Sequence, residues 1–348
     1  MSDANLFAQQ EQNRRRSFWL VTGFIVFFAW IGFGGDLAWY LATEGAPAGS
    51  YQHVVPWMGL IFVVIAGGIA WYAWRTGPQK VLLAAGAWEI ITPDTPERER
   101  LVNVVEEMAI ASGLPRPRIW VVPDEDPNAF ATGHDERDSH VAVTEGLLKL
   151  LGRDELQGVV AHEMAHIRNY DVRLMTLLAA LVGAIALMSD VGRRFFRYGG
   201  RVSGSAGRRV GGGRGGGKGG KGGAPVVLVV LVLWLISLAL APLISRLLAM
   251  AVSRKREFLA DATAAQFTRN PMGLASALEK IEAVGTPTHR ITSGAAHLCI
   301  VDPLGRAINN RSGRLADIFG SHPPMAMRLS RLRGMAYQEA KRGAGNGE

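Results

Sequence analysis

The chain has 348 residues, 48% of them hydrophobic, and a formal net charge of +8. The hydrophobic residues are concentrated in long apolar runs between charged segments, which indicates an integral membrane protein rather than a large soluble one. A single cysteine, Cys299, excludes an internal disulfide framework, and its apolar neighbours predict a buried side chain rather than a nucleophile. Because the basic residues cluster beside the apolar runs and in one glycine-rich loop, we expect a lipid bilayer, and no nucleic acid, as their partner.

Two apolar runs near the N-terminus predict a transmembrane hairpin. The first extends from Phe18 to about Gly35 and the second from Val54 to Trp74. A cleaved signal peptide is the alternative for the first run, because Ala46-Pro47-Ala48 resembles a cleavage site, but the length of the run favours an uncleaved helix. Arginines 14–16 and Arg75 flank the hairpin, which places the N-terminus and the chain after the hairpin in the cytosol.

The next segment carries the signals of a soluble α+β domain. Thr95 and Pro96 predict a helix start, and Gly113 predicts its end. Two β-rich stretches and two further helical patterns follow, with a polar, loop-like stretch between the strands. The strands are Arg118–Val122 and His140–Thr144, and the helices are Glu145–Leu151 and Asp154–Asn169.

Two more apolar runs lie in the second half of the chain. Leu174–Met188 is short for a full span, whereas Val226–Ile244 is long enough. The glycine-rich, basic stretch between them predicts a flexible linker over 195–223. Its charge opposes the topology in which both runs cross, so a shallow hairpin returning to the cytosol is the alternative. Helices are expected around Arg254–Asp261, after Asn270-Pro271 and from Pro323 onward.

Residues 162–166 read His-Glu-Met-Ala-His within the helix predicted at Asp154–Asn169. Side chains four apart lie one turn above each other on a helix, so His162 and His166 project from one face. Two neutral imidazoles at this spacing bind one Zn²⁺, and the carboxylate of Glu163 between them serves as general base in hydrolysis. The pattern predicts a catalytic zinc site, against the alternative of a helix with two histidines on a polar face.

A catalytic zinc takes three protein ligands and keeps one position open. Glu257 is the favoured third ligand, because His166 lies eight residues before the third apolar run and Glu257 lies 13 residues after the fourth. At 1.5 Å per helical residue these offsets are roughly 12 and 20 Å, so the two helices can meet beside one membrane face. An ion pair between Glu257 and a neighbouring arginine is the alternative. The other candidates are His134, His140, Asp171, Asp261, His297 and His322.

Four stretches together resemble the HtpX family of bacterial membrane zinc proteases, which are related to the CAAX prenyl endopeptidases. They are Val143–Leu148, His162–Asp171, Arg256–Asp261 and His322-Pro323-Pro324. The similarity extends over nearly the whole chain, including two hydrophobic segments before the metal helix and two after it. The long glycine-rich linker differs from the compact loop expected of the family.

The resemblance implies one zinc ion per chain, bound by His162, His166 and Glu257, with Glu163 as general base and acid. It implies that Asp261 supports a ligand histidine, as the second nitrogen of such a ring requires an acceptor.

Other residues are implied to lie near this centre, each with an ordinary alternative. Arg328 and His322 are expected at the active site, where His322 donates to an oxyanion or only caps a helix. Asp171 orients a ligand histidine or pairs with Arg168 or Arg173. The segment at Asn128, Ala129 and Phe130 resembles a sheet edge to which a substrate adds as a strand; the alternative is a surface loop.

The sequence therefore predicts a mainly α membrane protein with about four transmembrane helices and a cytosolic α+β zincin-like metalloprotease domain, in the bacterial cytoplasmic (inner) membrane. We expect it to hydrolyse misfolded or damaged membrane proteins; a narrow CAAX-type processing endopeptidase and a non-enzymatic zinc-binding scaffold are the alternatives. The expected parts are the hairpin (1–80), the first part of the protease domain (81–173), the second hydrophobic pair with its linker (174–245), the second part of the protease domain (246–340) and a loose tail (341–348).

Overall fold

The structure is a computed structural model, which describes residues 3–43, 49–181, 232–234, 236, 254–284, 298–301 and 323–345. Within these residues the chain is mainly helical and contains one four-stranded sheet. The helices are α1 (Asp3–Thr43), α2 (Trp57–Ala84), α3 (Pro96–Ser112), α4 (Glu145–Leu150), α5 (Arg153–Arg168), α6 (Arg254–Thr268), α7 (Pro271–Ala283) and α8 (Met325–Gly345), and the strands are β1 (Trp88–Glu89), β2 (Arg118–Val122), β3 (Ala129–Gly133) and β4 (Ser139–Thr144).

Helices α1 and α2 contain the two candidate membrane spans, Glu11–Leu41 and Trp57–Ala84. Helix α1 is longer than the apolar run that predicts it, because the residues ahead of that run include no glycine or proline to end a helix. Of the third run, residues 174–181 are helical; the rest of that run, the linker and most of the fourth run lie outside the described residues. The structure thus describes two spans and leaves the predicted total of four untested.

The chain divides into two compact units, one of which comprises residues 21–71 and 181–247. In this unit Asp36 is buried inside α1, although the sequence predicts that it begins the connection between the spans. Its carboxylate accepts the backbone N–H groups of Met58 (3.0 Å) and Gly59 (2.5 Å) and lies 2.6 Å from His53 Nε2. Asp36 therefore satisfies backbone donors in the first turn of α2 that have no partner within the helix.

The other unit comprises residues 1–20, 72–180 and 248–348 and contains the sheet, in the order β1-β2-β4-β3. Strands β2 and β4 are parallel, and the other pairs are antiparallel. Both predicted strands are confirmed, as β2 and β4, but β3 lies in the stretch expected to be loop-like. Because β3 is last in the strand order, it is an edge strand of the sheet.

Helix α5 is held against the sheet and the other helices by its apolar stripe. Leu156, Val160, Met164 and Ile167 are all fully buried, as their spacing predicts. On the same helix Gly158 allows close contact with α7, because a Cβ atom there would lie 2.6 Å from the backbone nitrogen of Leu274. Both helix caps expected from the sequence are present, Thr95 on α3 and Asn270 on α7. The fold thus fixes the helix that carries the two histidines.

The final helix, α8, continues to Gly345, so residues 341–345 of the segment expected to be a loose tail are helical. Gln338, Ala340, Lys341 and Arg342 are all good helix formers. Residues 346–348 lie outside the described residues.

Candidate active site

Helices α5 and α6 bring the three predicted ligand side chains together. The Nε2 atoms of His162 and His166 lie 3.2 Å apart, and Glu257 carboxylate oxygens lie 3.7 Å from His162 Nε2 and 3.6 Å from His166 Nε2. His162 and Glu257 are buried and His166 is half-buried. This is a group that could hold a metal ion.

A carboxylate faces the outer nitrogen of each imidazole. Asp261 Oδ1 lies 3.0 Å from His162 Nδ1, and Asp171 Oδ2 lies 3.0 Å from His166 Nδ1. An acceptor on Nδ1 keeps the proton of a neutral imidazole on that nitrogen, so the Nε2 lone pair faces the centre of the group. The two carboxylates are therefore placed to hold neutral rings in the tautomer that metal binding at Nε2 requires.

Arg328 on α8 completes one of these contacts. Its Nε and Nη2 donate to the two oxygens of Asp261 at 2.9 and 2.7 Å, and its Nη1 donates to the Ile300 carbonyl at 2.9 Å. Burial opposes the charge on Asp261, but Arg328 and His162 outweigh it and lower the pKa of Asp261 to about 2. The carboxylate beside His162 is therefore ionised at neutral pH.

Glu163 lies in a small cavity with the metal-binding group. The cavity has a volume of about 20 Å³, which is enough for about one water molecule, and Ala131 of β3 also lines it. Burial raises the pKa of Glu163, against the lowering effect of the two histidines. Its Oε1 is buried and has no hydrogen-bond partner within the described part of the chain. The arrangement gives a basic carboxylate beside the space where a small reactant fits.

Asp171 reaches His166 through a strained turn that follows α5. Tyr170 has φ 57°, a left-handed conformation that is costly for a residue with a side chain. The arginine beside Asp171 is Arg256, whose Nη1 lies 3.6 Å from Asp171 Oδ1. It is neither Arg168 nor Arg173, the two arginines that the sequence suggests. Arg168 donates to the Ser112 carbonyl, and Arg173 lies over the Trp74 ring.

The segment Asn128–Phe130 lies at the sheet edge, as the resemblance implies, but this edge is already paired. Phe130 forms an antiparallel bridge with Cys299, and the N–H of Ile300 donates to the Ala129 carbonyl at 2.9 Å. The Asn128 amide donates to the Val301 carbonyl at 2.9 Å. Residues 298–301, which we call the edge segment, therefore occupy the outer side of β3 next to the candidate metal group.

The two other histidine candidates that the structure describes, His134 and His140, do not join the group. His140 is buried on β4, where its Nδ1 accepts from Trp120, and His134 contacts Asp138 and the Trp74 carbonyl. His297 and His322 lie outside the described residues, so the predicted position of His322 stays a prediction. Cys299 is buried, as predicted.

Three features near the group escape sequence reasoning: Asn13, Arg256 and the edge segment. Asn13 stands directly before three arginines whose charge suffices to explain that stretch, and Arg256 belongs to a basic run. For Asn13 the one available signal is a short polar side chain at the start of an apolar helix. Its contacts depend on a part of the chain far away in sequence.

Comparisons with known proteins identify the family of the chain. The sequence model of peptidase family M48 matches residues 96–336. A protein named Protease HtpX homolog from Streptococcus gordonii is 37% identical over 332 residues, covering 95% of this chain and 100% of the relative. One of the same name from Thermoanaerobacter pseudethanolicus is 36% identical, covering 96% of this chain and 99% of the relative. A crystal structure of S. mikatae Ste24p is similar with a TM-score of 0.44 and 17% identity, covering 94% of this chain and 67% of that chain.

The HtpX resemblance is thereby confirmed over almost the full length of the chain. Family M48 consists of peptidases, and the matched region contains the His162, Glu163 and His166 motif together with Glu257. With two candidate spans ahead of that region, the chain belongs to peptidase family M48 and is a membrane-associated metalloprotease.

Proposed function

We propose that this protein is a zinc endopeptidase of the bacterial cytoplasmic membrane, with its active site on the cytosolic side, and that it degrades misfolded or damaged membrane proteins. The observation that supports the proposal best is the cluster of His162, His166 and Glu257, in which one ligand atom from each residue lies within 4.8 Å of the others. The two Nε2 atoms are 3.2 Å apart, close to the separation of about 3.3 Å expected for ligands placed tetrahedrally about 2.0–2.1 Å from zinc.

The donor set suits a catalytic rather than a structural zinc. Two histidines and one glutamate are the protein ligands of well-known zinc peptidases, and a structural zinc is closed by a fourth. Among the described residues the group has three members. This count favours the enzyme over the zinc-binding scaffold.

When bound, zinc would polarise a peptide carbonyl and lower the pKa of a water molecule. Glu163 accepts the proton of the attacking water and passes it to the leaving nitrogen. Its buried position, which raises its pKa, makes it a stronger base than an exposed glutamate. Asp171 and Asp261 hold the two imidazoles in the tautomer described above, and Arg328 holds Asp261. His322 donates a hydrogen bond to the oxyanion.

The substrate binds as an added strand along β3, through Asn128, Ala129 and Phe130. Main-chain hydrogen bonds at a sheet edge are independent of side-chain identity, which suits a protease that acts on many unfolded sequences. Because the edge segment already uses the Ala129 carbonyl and the Asn128 amide, it must leave these groups before a substrate takes its place.

The cytosolic location follows from charge. Arginines 14–16 and Arg75 flank the two apolar runs, Phe18 to about Gly35 and Val54 to Trp74, and positively charged flanks remain in the cytosol. The unit that contains the sheet, which we call the protease unit, includes residues 1–20 before this hairpin and residues 72–180 after it. A CAAX-type processing endopeptidase would share this location and chemistry but accept only a narrow set of C-terminal sequences.

The function is tested with the purified full chain in detergent. We expect about one zinc per chain by metal analysis and cleavage of casein that stops with chelator and returns with added zinc. A panel containing casein, an unfolded membrane protein and a prenylated CAAX peptide separates the two proteolytic alternatives. A natively folded protein that stays inert after zinc is resupplied would exclude both.

Zinc binding will depend on pH through His162. In the metal-free protein burial opposes the charge on this ring, but Asp261 and Glu257 outweigh burial and raise its pKa to about 9. Below that pH a proton must leave before zinc binds, so apparent zinc affinity should rise about tenfold per pH unit up to about pH 9 and then level off. Titration against a competing chelator of known affinity at each pH measures this. An affinity that is flat between about pH 7 and 9 would show that zinc binding displaces no proton from His162 in this range.

A further inference from the structure

The N-terminal helix α1 reaches the candidate metal group through one buried side chain. Asn13 is 1% exposed, and its Nδ2 donates both to the Asn169 carbonyl at 2.9 Å and to Asp171 Oδ1 at 2.8 Å. Both partners are acceptors only, so the amide must present its nitrogen to them. Asn13 is thus fixed in orientation by two bonds to the turn after α5.

These two bonds lie on either side of the strained residue of that turn. Asn169 and Asp171 flank Tyr170, whose φ of 57° persists only when the surrounding structure fixes it. By holding both neighbours, Asn13 stabilises the left-handed conformation that directs the Asp171 carboxylate towards His166. Without it, the turn can relax and withdraw the carboxylate.

The two carboxylate oxygens of Asp171 contact different partners. Oδ1 accepts from Asn13 and has Arg256 Nη1 at 3.6 Å, and Oδ2 contacts His166 Nδ1 at 3.0 Å. Since Asp171 is 1% exposed, water does not replace a lost donor easily. The position of Oδ2 relative to His166 therefore depends on what holds Oδ1.

We propose that Asn13 is a positioning residue of the metal site: it sets Asp171, which sets the ring of His166, so that retention of zinc depends on helix α1. The inference rests on the zinc site proposed above. It gives α1 a second function besides crossing the membrane, because the helix that carries Asn13 contains the candidate span Glu11–Leu41.

The test measures zinc release, not proteolysis. Full-length protein in detergent is loaded with zinc and mixed with a chromogenic chelator, for wild type, Asn13→Ala and Asn13→Asp. Removing a group that orients a metal-ligating histidine weakens metal binding by about 10–100-fold, so we expect release at least about tenfold faster in both variants. Gln12→Ala is the matched control, since Gln12 is the exposed neighbour on the same helix, and it should match wild type. Glu257→Ala marks the rate for a lost ligand.

Two further measurements separate positioning from general damage. Thermal unfolding of the metal-free proteins shows whether Asn13→Ala is folded; if it is not, the isosteric Asn13→Asp decides. The visible spectrum of the cobalt-substituted protein reports ligand geometry, and we expect it to change in the Asn13 variants and not in Gln12→Ala. Wild-type release rate and cobalt spectrum in folded Asn13 variants overturn this inference alone. Absence of stoichiometric zinc in the wild type overturns the proposed site itself.

Discussion

Replacing Glu163 with glutamine will lower kcat/KM for peptide hydrolysis by about 10²–10⁴-fold while zinc stays bound, since that is the range that a positioned acid–base group contributes. Glutamine keeps the size of the side chain and its place in the cavity but cannot accept and return a proton. Glu163 is not a member of the metal-binding group, so its charge is not required to hold the ion. The measurement is cleavage of casein at equal zinc content.

Two controls separate a loss of catalysis in Glu163→Gln from a loss of zinc or of folding. Zinc stoichiometry should equal that of the wild type, and the unfolding temperature should be equal or higher, because burial disfavours the charged form of Glu163 and glutamine removes that charge. Turnover at the wild-type rate would remove Glu163 from the mechanism. A loss of activity that tracks a loss of zinc would instead place it among the ligands.

Locking the edge segment onto β3 will abolish cleavage. Phe130 and Cys299 are bridge partners in an antiparallel pair, and the Cα atoms of such partners are about 4.5–5.5 Å apart, within the range that a disulfide spans. Phe130→Cys therefore offers the native Cys299 a partner. After oxidation with diamide the segment cannot leave the Ala129 carbonyl, so casein cleavage should fall to background; reduction with a phosphine should restore it.

The comparison of oxidised with reduced protein cancels the cost of the substitution itself. Phe130 is fully buried, and removing its ring will destabilise the protein by about 3–5 kcal/mol in both redox states. Phe130→Cys combined with Cys299→Ala cannot form the bond and should be insensitive to diamide. Full activity of the oxidised single variant, with the disulfide verified by mass, would show that substrates do not need the positions held by the edge segment.

Local signals made much of the protease unit predictable. Thr95, Gly113 and Asn270 fix helix ends by hydrogen bonds within a few residues, and both strands β2 and β4 have β-branched cores. The metal-binding pair is also local, because a spacing of four on a helix places two histidines together. The position of Glu257 could not be predicted from local spacing, because its approach to the two histidines depends on the packing of α5 against α6.

What the sequence did not reveal depends on pairing between distant segments. The residues of β3 lie within a polar stretch of sequence. They form a strand because they pair with β4 on one side and with the edge segment on the other. Asn13 has no pattern of its own, and only the folded chain places it beside Asp171. The helical end of α8 was missed for a different reason, because polar composition alone does not prevent a helix.

The pairing of Arg328 with Asp261 has a consequence for biosynthesis. A buried carboxylate without its cation is strongly unfavourable, so the support of His162 is incomplete until α8 has packed against α6. Helix α8 follows α5 and α6 in the sequence, so it leaves the ribosome after the helices that carry His162, His166 and Glu257. A chain synthesised only as far as α7 therefore lacks the cation that Asp261 requires, and the support of His162 forms after the ligand helices have been made.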